Sequence, residues 1–219
     1  MKSTLFLLST LFVIVSCDNA PQGDTTVITD EKQVASAAGE TFAVDTTNSR
    51  IRFVGYGVGK NHPGTFHLSS GQVVVANNTV TGGEFNINIR SLDLEQKESM
   101  FQNKLKPHLL SGDFFDADNF SSARFEITNV QTYQPNSNDT SIVEGANFTV
   151  SGNFTLRNTT KNISFPANIE LDGSTLKAVG NFDIDRTQWQ INYGNDKTLG
   201  DKFISEKVNI ELDLRANKG

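Results

Sequence analysis

From Thr41 onward, apolar and polar residues alternate in short runs, and turn-forming residues separate the runs. Alternation with a period of two marks a half-buried strand, because successive side chains point to opposite faces. The clearest case is Val80 to Ile89. There Phe85, Ile87 and Ile89 share one side, and Glu84, Asn86 and Asn88 share the other. Upstream, Thr41 to Val44 starts a short strand, Asn48-Ser49 makes a turn, and Ile51 and Phe53 then share a face. His62-Pro63-Gly64 is expected to break the chain before Thr65 to Ala76 resumes it. Gly71 is the expected bulge and Asn77-Asn78 a tight turn. Further runs are Ala123 to Val130, Asn147 to Leu156, Lys161 to Leu171, Thr175 to Ile184 and Lys202 to Leu214.

One stretch breaks this rhythm. Between Glu95 and Leu110, residues Met100, Phe101, Lys104, Leu105 and His108 fall at helical spacing, and Pro107 is expected to end or kink the helix. Gly112 to Asp116 reads as an irregular loop, and residues 134–145 as a polar one. The fold class is therefore all-β with one helical insertion. About eight strands joined by short turns favour antiparallel neighbours. An open sheet of that size exposes two edges, and closing it into a barrel removes them. A barrel of about eight strands either fills its interior with side chains or holds one small ligand.

The first forty residues have a different character. Lys2 precedes an apolar run, Leu5 to Val15, which is too short to span a bilayer and suits the core of a signal peptide. It ends in Ile14-Val15-Ser16-Cys17, which resembles a lipobox. Cys17 is the only cysteine, so no intrachain disulfide can form. The expected organisation is a signal peptide over residues 1–16, an acylated Cys17 with a flexible spacer over 17–40, and a barrel domain over 41–219. Such a chain is lipid-anchored in the cell envelope. The plainer alternative is an ordinary secretory signal with an incidental cysteine.

Composition narrows the chemistry. Phe occurs 16 times and the formal net charge is −6. An acidic balance argues against nucleic-acid binding, which needs a basic face. Part of the acidity belongs to the spacer, where Asp18, Asp24, Asp30, Glu31 and Glu40 face Lys32 alone. No Gly-x-Ser-x-Gly elbow, Gly-rich phosphate loop or Cys/His pair is present, so an enzyme is not expected. The histidines, His62, His67 and His108, have no spacing typical of a metal site. Asp113, Asp116 and Asp118 lack the glycine and terminal Glu of a calcium loop. No metal or catalytic cofactor is expected.

Four stretches, in order, resemble one family. They are Phe42-Ala43-Val44-Asp45 through Ser49-Arg50-Ile51-Arg52-Phe53; Gln102-Asn103-Lys104-Leu105 with Ser111 to Asp116 and Ala123-Arg124-Phe125; Val150 to Leu156 through Thr160-Lys161; and Phe182 to Trp189. Together they resemble the YceI-like family over about Thr41 to Ala216. The resemblance implies a lipocalin-like antiparallel barrel whose apolar interior binds an isoprenoid chain, such as a quinone or polyprenyl lipid. It implies no catalytic residues. Many members carry a histidine at the position of Asn48 and a glycine at that of Gln190.

The expected lining of the barrel is Phe53, Phe85, Ile87, Ile89, Phe125, Ile127, Phe148, Val150, Phe182 and Ile184. Phe101 and Leu105 of the helical insertion join it, as a lid or as a helix packed on the wall. The competing reading is a solidly packed barrel that acts as a structural or interaction lipoprotein. Arg52, Arg124 and Arg186 lie in or beside strands. Each is placed either at a ligand's polar end or in an ordinary ion pair; Asp183 and Asp185 favour the ion pair for Arg186.

Overall fold

The computed structural model describes residues 22–34, 36–135 and 140–219. The expected signal peptide and Cys17 lie outside the described residues. Eleven strands form one sheet: β1 (Asp24–Thr25), β2 (Val27–Asp30), β3 (Glu40–Val44), β4 (Arg50–Gly57), β5 (Lys60–Ala76), β6 (Thr79–Leu94), β7 (Ser122–Thr132), β8 (Phe148–Leu156), β9 (Thr159–Asp172), β10 (Thr175–Asp185) and β11 (Ile204–Lys218). From β4 to β11 each strand pairs antiparallel with the next, and β11 returns to pair with β3 and β4. The sheet is thus a closed antiparallel barrel of eight staves. β3 and β4 lie end to end as one stave between β5 and β11. Asp45 makes the step between them, its carboxylate accepting from the backbone N–H groups of Thr47 and Asn48.

Short turns join the staves. Asn77 and Asn78 both take positive φ, as the twist of a two-residue hairpin turn requires. The chain does not break at His62-Pro63-Gly64, because β5 begins earlier, at Lys60, after a turn at Val58-Gly59. Pro63 is tolerated inside β5 because it stands where β6 ends. Its carbonyl accepts from Glu95 N at 3.0 Å, and no further β6 residue needs the N–H that proline lacks. Gly71 is not the bulge either. It pairs with Phe85, and the register slips between Leu68 and Ser70 instead.

Call the two openings the helical end and the turn end. At the helical end, a π-helical turn (Phe101–Leu105) runs into helix α1 (Lys106–Leu110), and two 3₁₀ turns, Arg186–Trp189 and Lys197–Lys202, connect β10 to β11. Pro107 does not end the helix. The wider π-helical turn just before it absorbs the missing hydrogen bond. Among the described residues no helix is long and apolar enough to cross a membrane.

The segment expected to be a flexible spacer is partly built into the wall. β1 pairs parallel with β10, and β2 pairs antiparallel with β9. The physical reason lies in the wall rather than in the arm. The β9–β10 ladder stops at Ala167–Gly180, although both strands continue toward the helical end. The next residue along β9 is Pro166, which has no N–H to donate. Residues 24–30 fill the slot that opens there.

Candidate ligand-binding cavity

Alternation along closed staves sends one set of side chains inward. From β4 come Ile51 and Phe53, from β6 Phe85, Ile87 and Ile89, from β9 Ile163 and Phe165, and from β11 Val208, Ile210, Leu212 and Leu214. They do not meet in the middle. A cavity of about 270 Å³ remains. One buried water needs roughly 10–15 Å³ by the same measure, so the space is some twenty times larger than a packing defect. The barrel is not packed solid.

Of the residues expected to line the interior, Phe53, Phe85, Ile87, Ile89, Leu105, Phe125, Ile127, Val150, Phe182 and Ile184 all border this cavity. Two do not. Phe101 is buried against the His62 ring at 5.6 Å, with Lys60 Nζ 5.2 Å from its centroid. Its position in the π-helical turn aims it at β5, while Leu105 and Leu109 face the cavity. Phe148 has inward parity but stands at the turn end. There it borders a separate recess of about 210 Å³, with Val80 and Leu176 between the two spaces.

The lining also contains residues not named from the sequence, including Phe66, Phe114, Phe154, Phe165 and the inward face of β11. For Ile163, Phe165 and the β11 residues the alternation was visible. Phe114 carries no periodicity and is brought inward by its loop. Gly55 belongs here as well: a Cβ at this position would have nothing within 4 Å, so the wall is bare at that point. Gly152 does the opposite, because a Cβ there would come within 2.2 Å of the Phe125 ring. The missing side chain gives Phe125 its place.

Among the described residues, polarity in the cavity is confined to one end. The lining residues with polar side-chain groups are Tyr56, His62, Arg186 and Ser205, all toward the helical end. Val58, 57% exposed at the tip of the β4–β5 turn, also borders the cavity, so the interior reaches the surface there. The three arginines separate clearly. Arg52 bridges Glu95 at 2.6 Å and Glu211 at 2.5 Å on the outer surface, and Arg124 pairs with Glu84 and Glu126. Arg186 does not pair with Asp183 or Asp185. Its guanidinium is buried and donates to the carbonyls of Ser205 (2.8 Å), Ile191 (2.5 Å) and Ile204 (2.9 Å). Burial pushes its pKa down from the ordinary arginine value, opposed by the more distant charges of Glu206 and Asp185. His62 Nδ1 lies 2.9 Å from Gln96 Oε1, and His108 Nε2 lies 2.8 Å from Asp113.

The barrel has relatives of known family and structure. The signature of the YceI-like domain covers residues 42–216. The chain belongs to the YceI-like family. Solved structures of similar fold include Burkholderia cenocepacia BcnA, at 20% identity with a TM-score of 0.61, covering 80% of this chain and 99% of that one. A polyisoprenoid-binding domain from Saccharophagus degradans, implicated in plant cell wall breakdown, has 14% identity and a TM-score of 0.60, covering 81% and 98%. Campylobacter jejuni YCEI has 17% identity and a TM-score of 0.51, covering 70% and 84%. No curated protein sequence matches the chain. Gln190 sits at φ 62°, in the left-handed region.

Proposed function

We propose that this YceI-like protein is a lipoprotein of the cell envelope, anchored through acylated Cys17, that carries or stores an isoprenoid-type lipid, a quinone or a polyprenyl lipid, inside the barrel. The observation that carries the reading is the cavity: about 270 Å³, apolar along its length, with its polar groups at the helical end only. A long hydrocarbon chain with one polar head has that same division. Each methylene taken out of water contributes about 0.8 kcal/mol, so a prenyl tail binds without any polar contact. The head then lies near Tyr56, His62, Arg186 and Ser205. The similar fold of a domain that binds polyisoprenoid supports the choice of cargo. The role assigned is binding, not catalysis.

Organic extraction of the purified full chain, followed by mass spectrometry, tests the cargo. Stoichiometric prenyl lipid is expected. Gly55→Phe, which fills the bare stretch of wall, is expected to at least halve the lipid content while the barrel stays as stable. An empty protein that takes up no prenyl lipid on incubation overturns the reading. The anchor is tested separately: radiolabelled palmitate should enter the wild type and not Cys17→Ser, and equal labelling of both rules it out.

A further inference from the structure

Neighbouring staves part at two edges of the barrel: toward the turn end β6 and β7 pair only over Glu84–Asn88 and Ser122–Glu126, and the second gap lies between β9 and β10. Toward the helical end β9 and β10 lose their mutual ladder, and the residues between them come from the N-terminal arm. The arm's ladders are short, two residues of β1 on β10 and four of β2 on β9, and side-chain bonds add to them: the buried Asp24 carboxylate accepts from Ser141 Oγ and Ile142 N, and Asp30 pairs with Lys161. Polar side chains on the outside of the barrel receive it. Asp183 accepts from Gly23 N at 2.9 Å, and Thr26 Oγ1 donates to the Asp183 carbonyl at 2.6 Å. Asn153 accepts from Lys32 N at 3.0 Å and donates to its carbonyl at 2.6 Å. These receptors are buried although they point away from the cavity, because the arm covers them. Behind the arm, on the cavity side, Phe165 of β9 and Phe182 of β10 stack with centroids 3.9 Å apart. Two layers close the slot: a removable strand outside and a pair of rings inside.

We propose that this slot is the side entrance of the cavity, through which a lipid tail passes from the bilayer, and that Gly23–Asp30 is the stave that closes it. The proposal rests on the lipid-binding reading above. Toward the helical end, the β9–β10 edge is the gap that a separate segment of chain fills; where two barrel strands are paired, opening the wall breaks their ladder. Here it breaks only the arm's contacts. Two buried amide oxygens beside the arm, Asn162 Oδ1 and Asn209 Oδ1, have no hydrogen-bond partner among the described residues, so lifting the arm lets water reach them. The anchor places the slot correctly. With Cys17 acylated, six residues separate the lipid from Gly23, and a chain of that length spans at most about 20 Å. The slot is therefore held beside the bilayer, and the arm feels any pull on the tether. Ring rotation of Phe165 and Phe182 then admits a flat prenyl chain edge-on.

A redox lock tests this. Thr25 and Asp183 are direct partners across the arm–β10 edge. In Thr25→Cys with Asp183→Cys, the reduced protein has lost the Asp183 contacts and the oxidised protein cannot open. The full acylated chain in detergent micelles is mixed with a dansyl-labelled polyprenyl chain, and energy transfer from Trp189, the only tryptophan, follows its arrival. We expect uptake faster than wild type when reduced and at least tenfold slower than wild type when oxidised. Thr155→Cys with Thr160→Cys, which bridges the unbroken β8–β9 ladder, should be indifferent to oxidation. If the Asp183 variant fails to fold, Val27→Cys with Ser164→Cys locks the β9 edge and should show the same slowing. Equal uptake in locked and unlocked forms, or equal slowing in the β8–β9 control, overturns the side entrance. No uptake by any form, wild type included, overturns the lipid-binding reading instead.

Discussion

At the scale of single residues, the barrel gives up stability at the mouth of its cavity. Val58 holds φ 53° at the tip of the β4–β5 turn, a conformation that a β-branched residue adopts only at a cost. Its successor is Gly59, and Asn-Gly is the favoured pair for such a turn. Val58→Asn is expected to stabilise the protein by about 1 kcal/mol in denaturant unfolding; a destabilised variant would mean that apolar contacts at the rim outweigh the strain. Gly152 is the opposite kind of position. Gly152→Ala drives a methyl group into the Phe125 ring and should cost about 1–3 kcal/mol, with Phe125 pushed toward the cavity. An unfolding midpoint equal to wild type would show that the ring yields freely. Neither effect was legible in the sequence, since each depends on which ring or backbone stands opposite. Arg186 teaches the same lesson. Neighbouring Asp183 and Asp185 made an ion pair the natural expectation, but alternation turns Asp183 to the outer face, and Asp185 accepts from Thr187 at the start of the 3₁₀ turn.

At the scale of elements, the alternating strands were legible from period alone, and so was the helical insertion. What misled was punctuation. Pro63 looked like a break and lies within a strand, because its missing N–H falls beyond the end of β6. Pro166 looked unremarkable within Lys161 to Leu171, and it is where the β9–β10 ladder ends. The arm over Asp24 to Asp30 read as spacer because it has little apolar periodicity. Its docking relies on backbone ladders and on receptors such as Asn153, more than a hundred residues away in the chain. Asn153→Ala removes both bonds to Lys32 and the acceptor for Asn162 Nδ2. It should cost about 1–3 kcal/mol and raise amide hydrogen exchange over Val27–Val34 ahead of the barrel strands. Unchanged exchange there would mean that the ladder with β9 alone holds the arm.

At the scale of the whole molecule, ion pairs outside the barrel set its response to acid. The carboxylate of Glu95 is held below its ordinary range, chiefly by the hydrogen bond that Arg52 donates. Hydrogen bonds likewise lower Asp30, Asp45, Asp93 and Asp196. A group with a lowered folded pKa binds its proton more readily when unfolded. The stability it contributes is complete above the unfolded value and is lost as pH falls through the folded one. The unfolding midpoint should therefore be level near neutrality and drop as the pH falls below the ordinary carboxylate range. Arg52→Gln should make that drop smaller, by less than about 1 kcal/mol because the pair is half exposed; a drop as steep as in wild type would show that the pair contributes nothing. Sequence alone determined that the chain is a barrel of about eight antiparallel staves with one helical insertion, and which apolar strand residues share a face, because period-two alternation is local and survives without knowledge of partners. Only the tertiary structure decided that the interior stays open, that its polarity gathers at one end, and that the N-terminal arm completes the wall. Those outcomes depend on how far apart opposing strands stand once the sheet has closed, a distance that no single segment encodes.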